Sequence, residues 1–327
     1  MVPRVTRRSF ALGAAAFGAT AARPASARPA DGFDGFLSGL RADARRAGVG
    51  DDTFDRAFAG VSPNQRVIEL DRKQPEFTMT WAQYKERVLP IGRIAAAREN
   101  AQAQAGLMRR VGDRFGVDPF TVVGIWGIES AFGANKGKFR LTEALATLAW
   151  EGRRAKFFRA ELIAALRILQ QGDVTPERMT GGYAGAMGQP QFMPSSYLRF
   201  AVDFDGDGRR DIWNSVPDVM GSVANYLARS GWKGAEPWGQ PIQVPAEFDA
   251  SIAGRDNKRS LAEWMGMGVR REDGSGFSRP EVAGAVLLPD GRGGDAFMVY
   301  DNFNAIRRYN PSDFYALAVG LLGNAAA

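Results

Sequence analysis

The chain has 327 residues, 45% of them apolar, enough for one sizeable hydrophobic core or two modest ones. It contains no cysteine and no histidine. That excludes Ser-His-Asp and Cys-His catalysis, zinc sites built on His or Cys, thiol redox work and haem ligated through either residue. The 42 Lys+Arg against 36 Asp+Glu leave a net charge of +6, which favours anionic surroundings. The charge is dispersed, and no basic block interleaved with aromatics points to nucleic acid. Proton transfer near neutral pH therefore falls mainly to Asp and Glu, and any bound metal is expected to be a hard, oxygen-seeking cation.

Residues 1–27 read as an export signal of the twin-arginine type. TRRSF at 6–10 precedes a short small-residue run at 11–22, and Ala25-Ser26-Ala27 fits the small-x-small cleavage rule. The run is too short to span a bilayer, so no membrane anchor is expected and the mature protein is expected in the periplasm.

Phe33, Phe36, Leu37 and Leu40 recur at helical spacing. Short helices are expected over 51–90, with Phe77, Trp81 and Tyr84 on one face, and Pro90 breaks the chain. One long helix is predicted over 91–115. Asp118 then serves as an N-cap with Pro119 at the first helical position. That helix carries GIWGIESAFG at 124–133 and is expected to stop near Gly133.

Glu129 follows Pro119 by nearly three turns, which places it in the last turn of this helix. The helix C-terminus and the apolar Ile125, Trp126, Ile128 and Phe132 both favour a protonated carboxyl there, the state a general acid requires. The competing reading of this motif alone is a salt-bridged glutamate at a helix end.

Further helix is expected over 142–171, broken near Glu151-Gly152. The stretch GGYAGAMGQPQFM at 181–193 is too glycine-rich for an ordinary helix, and it lacks the GK[ST] of a phosphate loop. Its amides, Tyr183, Gln189, Gln191 and Phe192 suit an N-acetylated sugar. A short helix starts at Pro194, an acidic loop spans 203–211, and a helix follows over 218–229. From 238 to 300 the texture changes: alternating PIQVPAEF and EVAGAVLL between glycine-rich turns predict a small β-containing subdomain. Helix returns at Asn304 and over 314–322. The fold class is α+β, predominantly α. The expected organisation is an α-rich part at 28–117, a core at 118–236, the β-containing subdomain at 237–300 and a closing helical part at 301–327.

Four stretches in order, IESAFG at 128–133, GAMGQPQFMPSSY at 185–197, VDFDGDGRRDIWNSVPDVMGSVANYL at 202–227 and RYNPSDFYALAVG at 308–320, resemble the lytic murein transglycosylase B family, glycoside hydrolase family 103. The resemblance implies a lysozyme-like core and a substrate of peptidoglycan, cut between N-acetylmuramic acid and N-acetylglucosamine. In that reaction the muramoyl C6 hydroxyl attacks C1 and leaves a 1,6-anhydro end. One carboxylate suffices, Glu129 donating a proton and then recovering one, with no cofactor in catalysis. The resemblance further implies substrate contacts at Gln191, Phe192, Met193, Tyr226, Tyr309, Asn310 and Tyr315, with Tyr84 a further cleft aromatic. Gly182 departs from relatives that carry serine there.

In the acidic loop, Asp203, Asp205 and Asp207 fall at positions 1, 3 and 5 of an EF-hand pattern. Gly208 stands at 6, the Arg209 carbonyl at 7 and Asp211 at 9. Asn214 stands where a closing Glu is required, and the resemblance implies that Asp218 closes the site. A structural Ca2+ is expected. Two other readings remain open from the sequence: a hydrolytic muramidase with Glu143 or Glu151 as a second carboxylate, and a non-catalytic, calcium-stabilised wall-binding protein.

Overall fold

The computed structural model describes residues 32–73 and 79–327. The predicted export signal at 1–27 and Phe77 lie outside the described residues. In chain order the helices and strands are α1 (Gly32–Arg46), α2 (Asp51–Phe58), α3 (Gln65–Arg72), α4 (Trp81–Val88), α5 (Ile91–Ala103), α6 (Ala105–Phe115), α7 (Pro119–Ser130), β1 (Phe139–Arg140), α8 (Leu141–Glu151), α9 (Ala155–Gln171), β2 (Thr180–Gly181), α10 (Pro194–Phe200) and α11 (Val216–Arg229). There follow β3 (Gly239–Gln243), β4 (Arg259–Ser260), α12 (Leu261–Gly266), β5 (Arg270–Arg271), β6 (Ala283–Leu287), β7 (Ala296–Val299), α13 (Asp301–Tyr309) and α14 (Asp313–Ala326). Helix dominates, with small antiparallel sheets, as the sequence predicts.

The chain divides into two compact units. The first takes the described part of Met1–Glu76 with Glu129–Val223, and the second that of Phe77–Ile128 with Ala224–Ala327. The first unit is organised around α8, whose residues from Leu141 to Ala149 are buried with the exception of Glu143. A helix apolar on nearly every face belongs in a core, and each fully buried leucine there contributes about 2 kcal/mol. Gly152, left-handed at φ 98°, ends α8 at the predicted break. The amphipathic α9 follows and packs along α8. Glu161 of α9 is buried yet satisfied, accepting from the Ser195 amide at 2.9 Å and hydroxyl at 2.7 Å, which ties α9 to the first turn of α10. The two-residue strands β1 and β2 pair antiparallel, Phe139 opposite Gly181.

In the second unit, α14 packs against α4, α5 and α13. It also approaches the backbone of α7 closely: a Cβ added to Gly323 would stand 2.7 Å from the Phe120 carbonyl oxygen, and one at Gly124 would meet the Val319 carbonyl. Only glycine permits this approach. Asp118 caps α7 as predicted, accepting from the Phe120 and Thr121 amides at 3.1 and 3.0 Å.

The predicted single helix over 91–115 is instead two helices. Gln104 leaves helical geometry at φ −105°, ψ 14°. Between Ile94 and Leu107 only small or polar side chains occur, so little apolar packing holds the two segments to one axis. The β-containing region forms a five-stranded antiparallel sheet in the order β4-β6-β7-β3-β5. It packs its own core of Phe248, Trp264, Phe277, Val286, Met298 and Tyr300.

Candidate active site

Helix α7 is buried through Val122, Val123, Ile125 and Trp126, and Glu129 in its last turn is half-buried. The helix ends at Ser130, close to the expected stop near Gly133, and Ala131, Phe132 and Gly133 are all left-handed, at φ 49°, 57° and 86°. Two consecutive non-glycine residues in that region are strained, by about 1 kcal/mol or more each. The buried Ser130 supports the turn, its hydroxyl oxygen accepting from the Gly133 amide at 3.0 Å and its carbonyl from the Asn135 amide at 2.8 Å. Its spacing of three before Gly133 was the available sequence signal for that role. Nothing in the sequence singles out Lys136, whose Nζ donates to the Trp213 carbonyl at 3.0 Å and to Asn214 Oδ1 at 3.4 Å.

The glycine-rich loop belongs to the same unit. Short bridges join Gly181 to Met187 and Met187 to Phe192. Gln191 is left-handed at φ 50° and half-buried. Its Nε2 donates to the Gly188 carbonyl at 2.7 Å, and its Oε1 would stand 3.9 Å from a Cβ at Gly182. Gly182 thus leaves room beside the Gln191 amide. Met193 is half-buried, whereas the Phe192 ring is buried and acts as a packing element of the loop.

The two carboxylates considered for a hydrolytic partner have structural engagements. Glu143 accepts from Asn64 Nδ2 at 2.5 Å, which joins α8 to the N-cap of α3. Glu151 pairs with Arg72 at 2.6 Å. Both hold α3 against α8.

The remaining expected sugar-contacting residues lie in the second unit. Tyr226 and Tyr309 are half-buried, with ring centroids 4.6 Å apart, and Tyr309 stacks on the buried Tyr315 at 6.4 Å and 12°. The Tyr226 hydroxyl donates to the Arg308 carbonyl at 2.6 Å. Asn310 ends α13, and its Oδ1 accepts from the Ser312 amide at 3.1 Å. Ser312 in turn caps α14 through the Tyr315 amide. Tyr84 is buried, stacked on Trp81 and tilted against Phe314.

In the acidic loop the structure brings together Asp203, Asp205 and Asp218, with one carboxylate oxygen from each within 4.8 Å of the others. Asp218 is fully buried and accepts from the Phe204 and Asp211 amides, each at 2.7 Å. Burial pushes its pKa up to about 6, with Asp205 adding to the rise while the two amides oppose it. Asp203 accepts from the Gly206 and Gly208 amides at 2.6 and 2.9 Å. The other expected ligands stand outside this group. Asp207 and Arg209 are exposed, the Arg209 amide donating to Asp207. Asp211 accepts from the Trp213 and Asn214 amides at 2.9 Å. An all-oxygen cluster around a buried carboxylate fits a hard divalent cation.

A buried helix ending on a half-buried glutamate, with an amide-rich glycine loop and an acidic loop in the same unit, defines a lysozyme-like protein of glycosidic-bond chemistry. The model of the transglycosylase SLT domain matches residues 32–324, and the chain belongs to that family. It is a lytic transglycosylase, a non-hydrolytic enzyme of glycosidic-bond cleavage. The chain is 34% identical over 252 residues to the membrane-bound lytic murein transglycosylase B of Escherichia coli strain K12, covering 76% of this chain and 67% of that protein. It is also similar to SltB3 of Pseudomonas aeruginosa, solved in complex with NAG-anhNAM-pentapeptide. The TM-score is 0.86 at 46% identity, over 90% of this chain and 79% of the other. The Escherichia coli lytic transglycosylase Slt35, solved in complex with calcium, matches with a TM-score of 0.73 at 29% identity, over 90% and 92% of the two chains.

Proposed function

We propose that Glu129 is the single acid and base with which this lytic transglycosylase cleaves peptidoglycan strands between N-acetylmuramic acid and N-acetylglucosamine. The observation that carries this reading is the placement of Glu129, half-buried in the last turn of the apolar helix α7 and directly before the left-handed turn 131–133.

Protonated Glu129 gives its proton to the oxygen leaving C1 of the muramoyl residue as the C1–O bond breaks. The C6 hydroxyl oxygen then bonds to C1, and its proton passes to the Glu129 carboxylate, restoring the acid. The nucleophile is already attached to the sugar, so proximity replaces a positioned water and its base. An anhydro end results, as in the ligand of the SltB3 complex.

Gln191 and Met193 in the first unit, and Tyr226, Tyr309 and Asn310 in the second, are each assigned to substrate contact in this reading, with the buried Phe192, Tyr315 and Tyr84 supporting them. Asp203, Asp205 and Asp218 hold a structural Ca2+, with Asp207, Asp211 and the Arg209 carbonyl as outer contributors. The calcium complex of Slt35 supports that assignment. Residues 118–236 form the catalytic core, and 237–300 the β-containing subdomain. Export by the twin-arginine route delivers the enzyme to the periplasm.

Digestion of purified peptidoglycan followed by mass analysis of the muropeptides tests the reaction. Anhydro ends, lighter by one water than reducing ends, are expected from the wild type and absent with Glu129→Gln. Reducing ends alone would overturn the transglycosylase reading.

A further inference from the structure

The left-handed turn behind Glu129 is held from outside by Gln189, a residue of the glycine-rich loop. Gln189 is 95% buried, being 5% exposed, and its side-chain amide lies against Gly133: a Cβ there would stand 2.5 Å from Gln189 Oε1 and 2.8 Å from Cδ. Gln189 Nε2 donates to the Trp213 carbonyl at 3.1 Å, and its backbone amide donates to the Ile212 carbonyl at 2.9 Å. Gly188 is pressed as tightly on that segment, a Cβ there coming within 2.8 Å of the Ile212 carbonyl oxygen. Gln189 therefore sits between the turn 131–133 and the turn segment 212–213.

We infer that Gln189 is a positioning residue for the catalytic acid, clamping the turn that follows Glu129 onto the segment 212–213. This inference rests on the reading of Glu129 as the acid. Left-handed Ala131 and Phe132 relax toward ordinary backbone unless their surroundings over-determine them. Three contacts do so: the Ser130 hydroxyl on the Gly133 amide, the Gln189 amide on Gly133, and Lys136 Nζ on the same Trp213 carbonyl that Gln189 uses. Ser130 is the neighbour of Glu129, so a shift of the turn is transmitted directly to the last turn of α7. A misplacement of about 1 Å at the reacting group costs on the order of 100-fold in rate.

The test measures kcat and KM for release of anhydro ends from soluble glycan strands, together with thermal melting. Gln189→Met keeps the bulk of the side chain and removes both polar ends, and Lys136 still supplies a donor to the Trp213 carbonyl. It is expected to lower kcat about 10- to 100-fold with KM within about 2-fold. Ile168→Val, a truncation in the buried face of α9, supplies the comparison for stability loss alone and is expected to keep wild-type kcat.

A second variant reads the same contact from its other side. Gly133→Ala drives a Cβ into the Gln189 amide, whereas Gly172→Ala has nearly the same φ, 85° against 86°, and nothing within 4 Å. The first is expected to lose kcat and the second to keep it, and this pair decides the matter if Gln189→Met does not fold. Wild-type kcat in Gln189→Met or in Gly133→Ala overturns the inference, as does an equal kcat loss in Ile168→Val. Glu129→Gln is assayed in parallel: if it stays active the acid assignment fails, and if it is inactive while Gln189→Met is not, only the clamp fails.

Discussion

Asn64 donates its side-chain amide to Glu143 at 2.5 Å while its own Oδ1 caps α3 by accepting from the Val67 amide at 3.2 Å. One side chain thereby seats α3 on α8, and Glu143 is the acceptor of that seat. Glu143→Gln keeps an oxygen in place and is expected to retain anhydro-end production within about 2-fold, with stability lowered by about 1 kcal/mol or less. Glu129→Gln is expected to lose about 100- to 10,000-fold. Muropeptide release from purified peptidoglycan, measured for both variants, separates a structural carboxylate from the proposed catalytic one.

Asp218 is the buried member of the acidic cluster, and its charge is the one most in need of compensation. Calcium is expected to raise the wild-type melting temperature, by the equivalent of about 2.7 kcal/mol at 100 times the dissociation constant. Asp218→Asn is expected to abolish most of that rise. Asp207→Asn, altering an exposed side chain outside the three-carboxylate group, is expected to keep most of it. Thermal melts with calcium and with a chelator decide the comparison.

Asp301, in the first turn of α13, is paired with both Lys233 and Lys258, and these ammonium groups hold its pKa below the ordinary carboxylate value. A depressed carboxylate pKa contributes stability above the unfolded value of about 4, and that contribution is lost as pH falls through the folded value. The site is partly exposed, so solvent screening limits the contribution to about 1 kcal/mol or less. Asp301→Asn is therefore expected to melt below the wild type at pH 7, with the gap closing progressively once the pH drops under about 4. Added salt is expected to narrow the gap at pH 7 as well.

The approach of α14 to α7 depends on Gly124 and Gly323. A methyl group at Gly124 meets the Val319 carbonyl, which is main chain and cannot rotate aside. Gly124→Ala is expected to cost about 1–3 kcal/mol. Gly106→Ala, at a helical position with nothing within 4 Å of the added Cβ, is expected to be neutral or slightly stabilising. Denaturant titration of the two variants measures the difference.

Local chemistry was legible in the residues themselves. The Asp118–Pro119 start of α7, the break at Gly152, the short helix opened by Pro194 and the alternating strands of 238–300 all follow from caps, φ preferences and period, which act over a few residues. Glu129 could be placed in the last turn of α7 for the same reason. The split at Gln104 was not legible, because a helical pattern rich in alanine and glutamine says nothing about where its packing partners are. Nor was the left-handed course of Ala131 and Phe132 after α7, since it contradicts their own preferences and depends on distant groups.

The sequence by itself determined which chemistry was available: no thiol, no imidazole, one glutamate closing an apolar helix and a run of aspartates suited to a hard cation. Tertiary structure alone decided which of Glu143 and Glu151 enter structural pairs and with what, that Asp218 rather than Asp207 joins the buried end of the acidic cluster, and that Gln189 lies against the turn behind Glu129. Those outcomes depend on contacts between residues far apart in the chain. Burial and hydrogen bonding are properties of the packed neighbourhood, and residue order specifies them only through the fold.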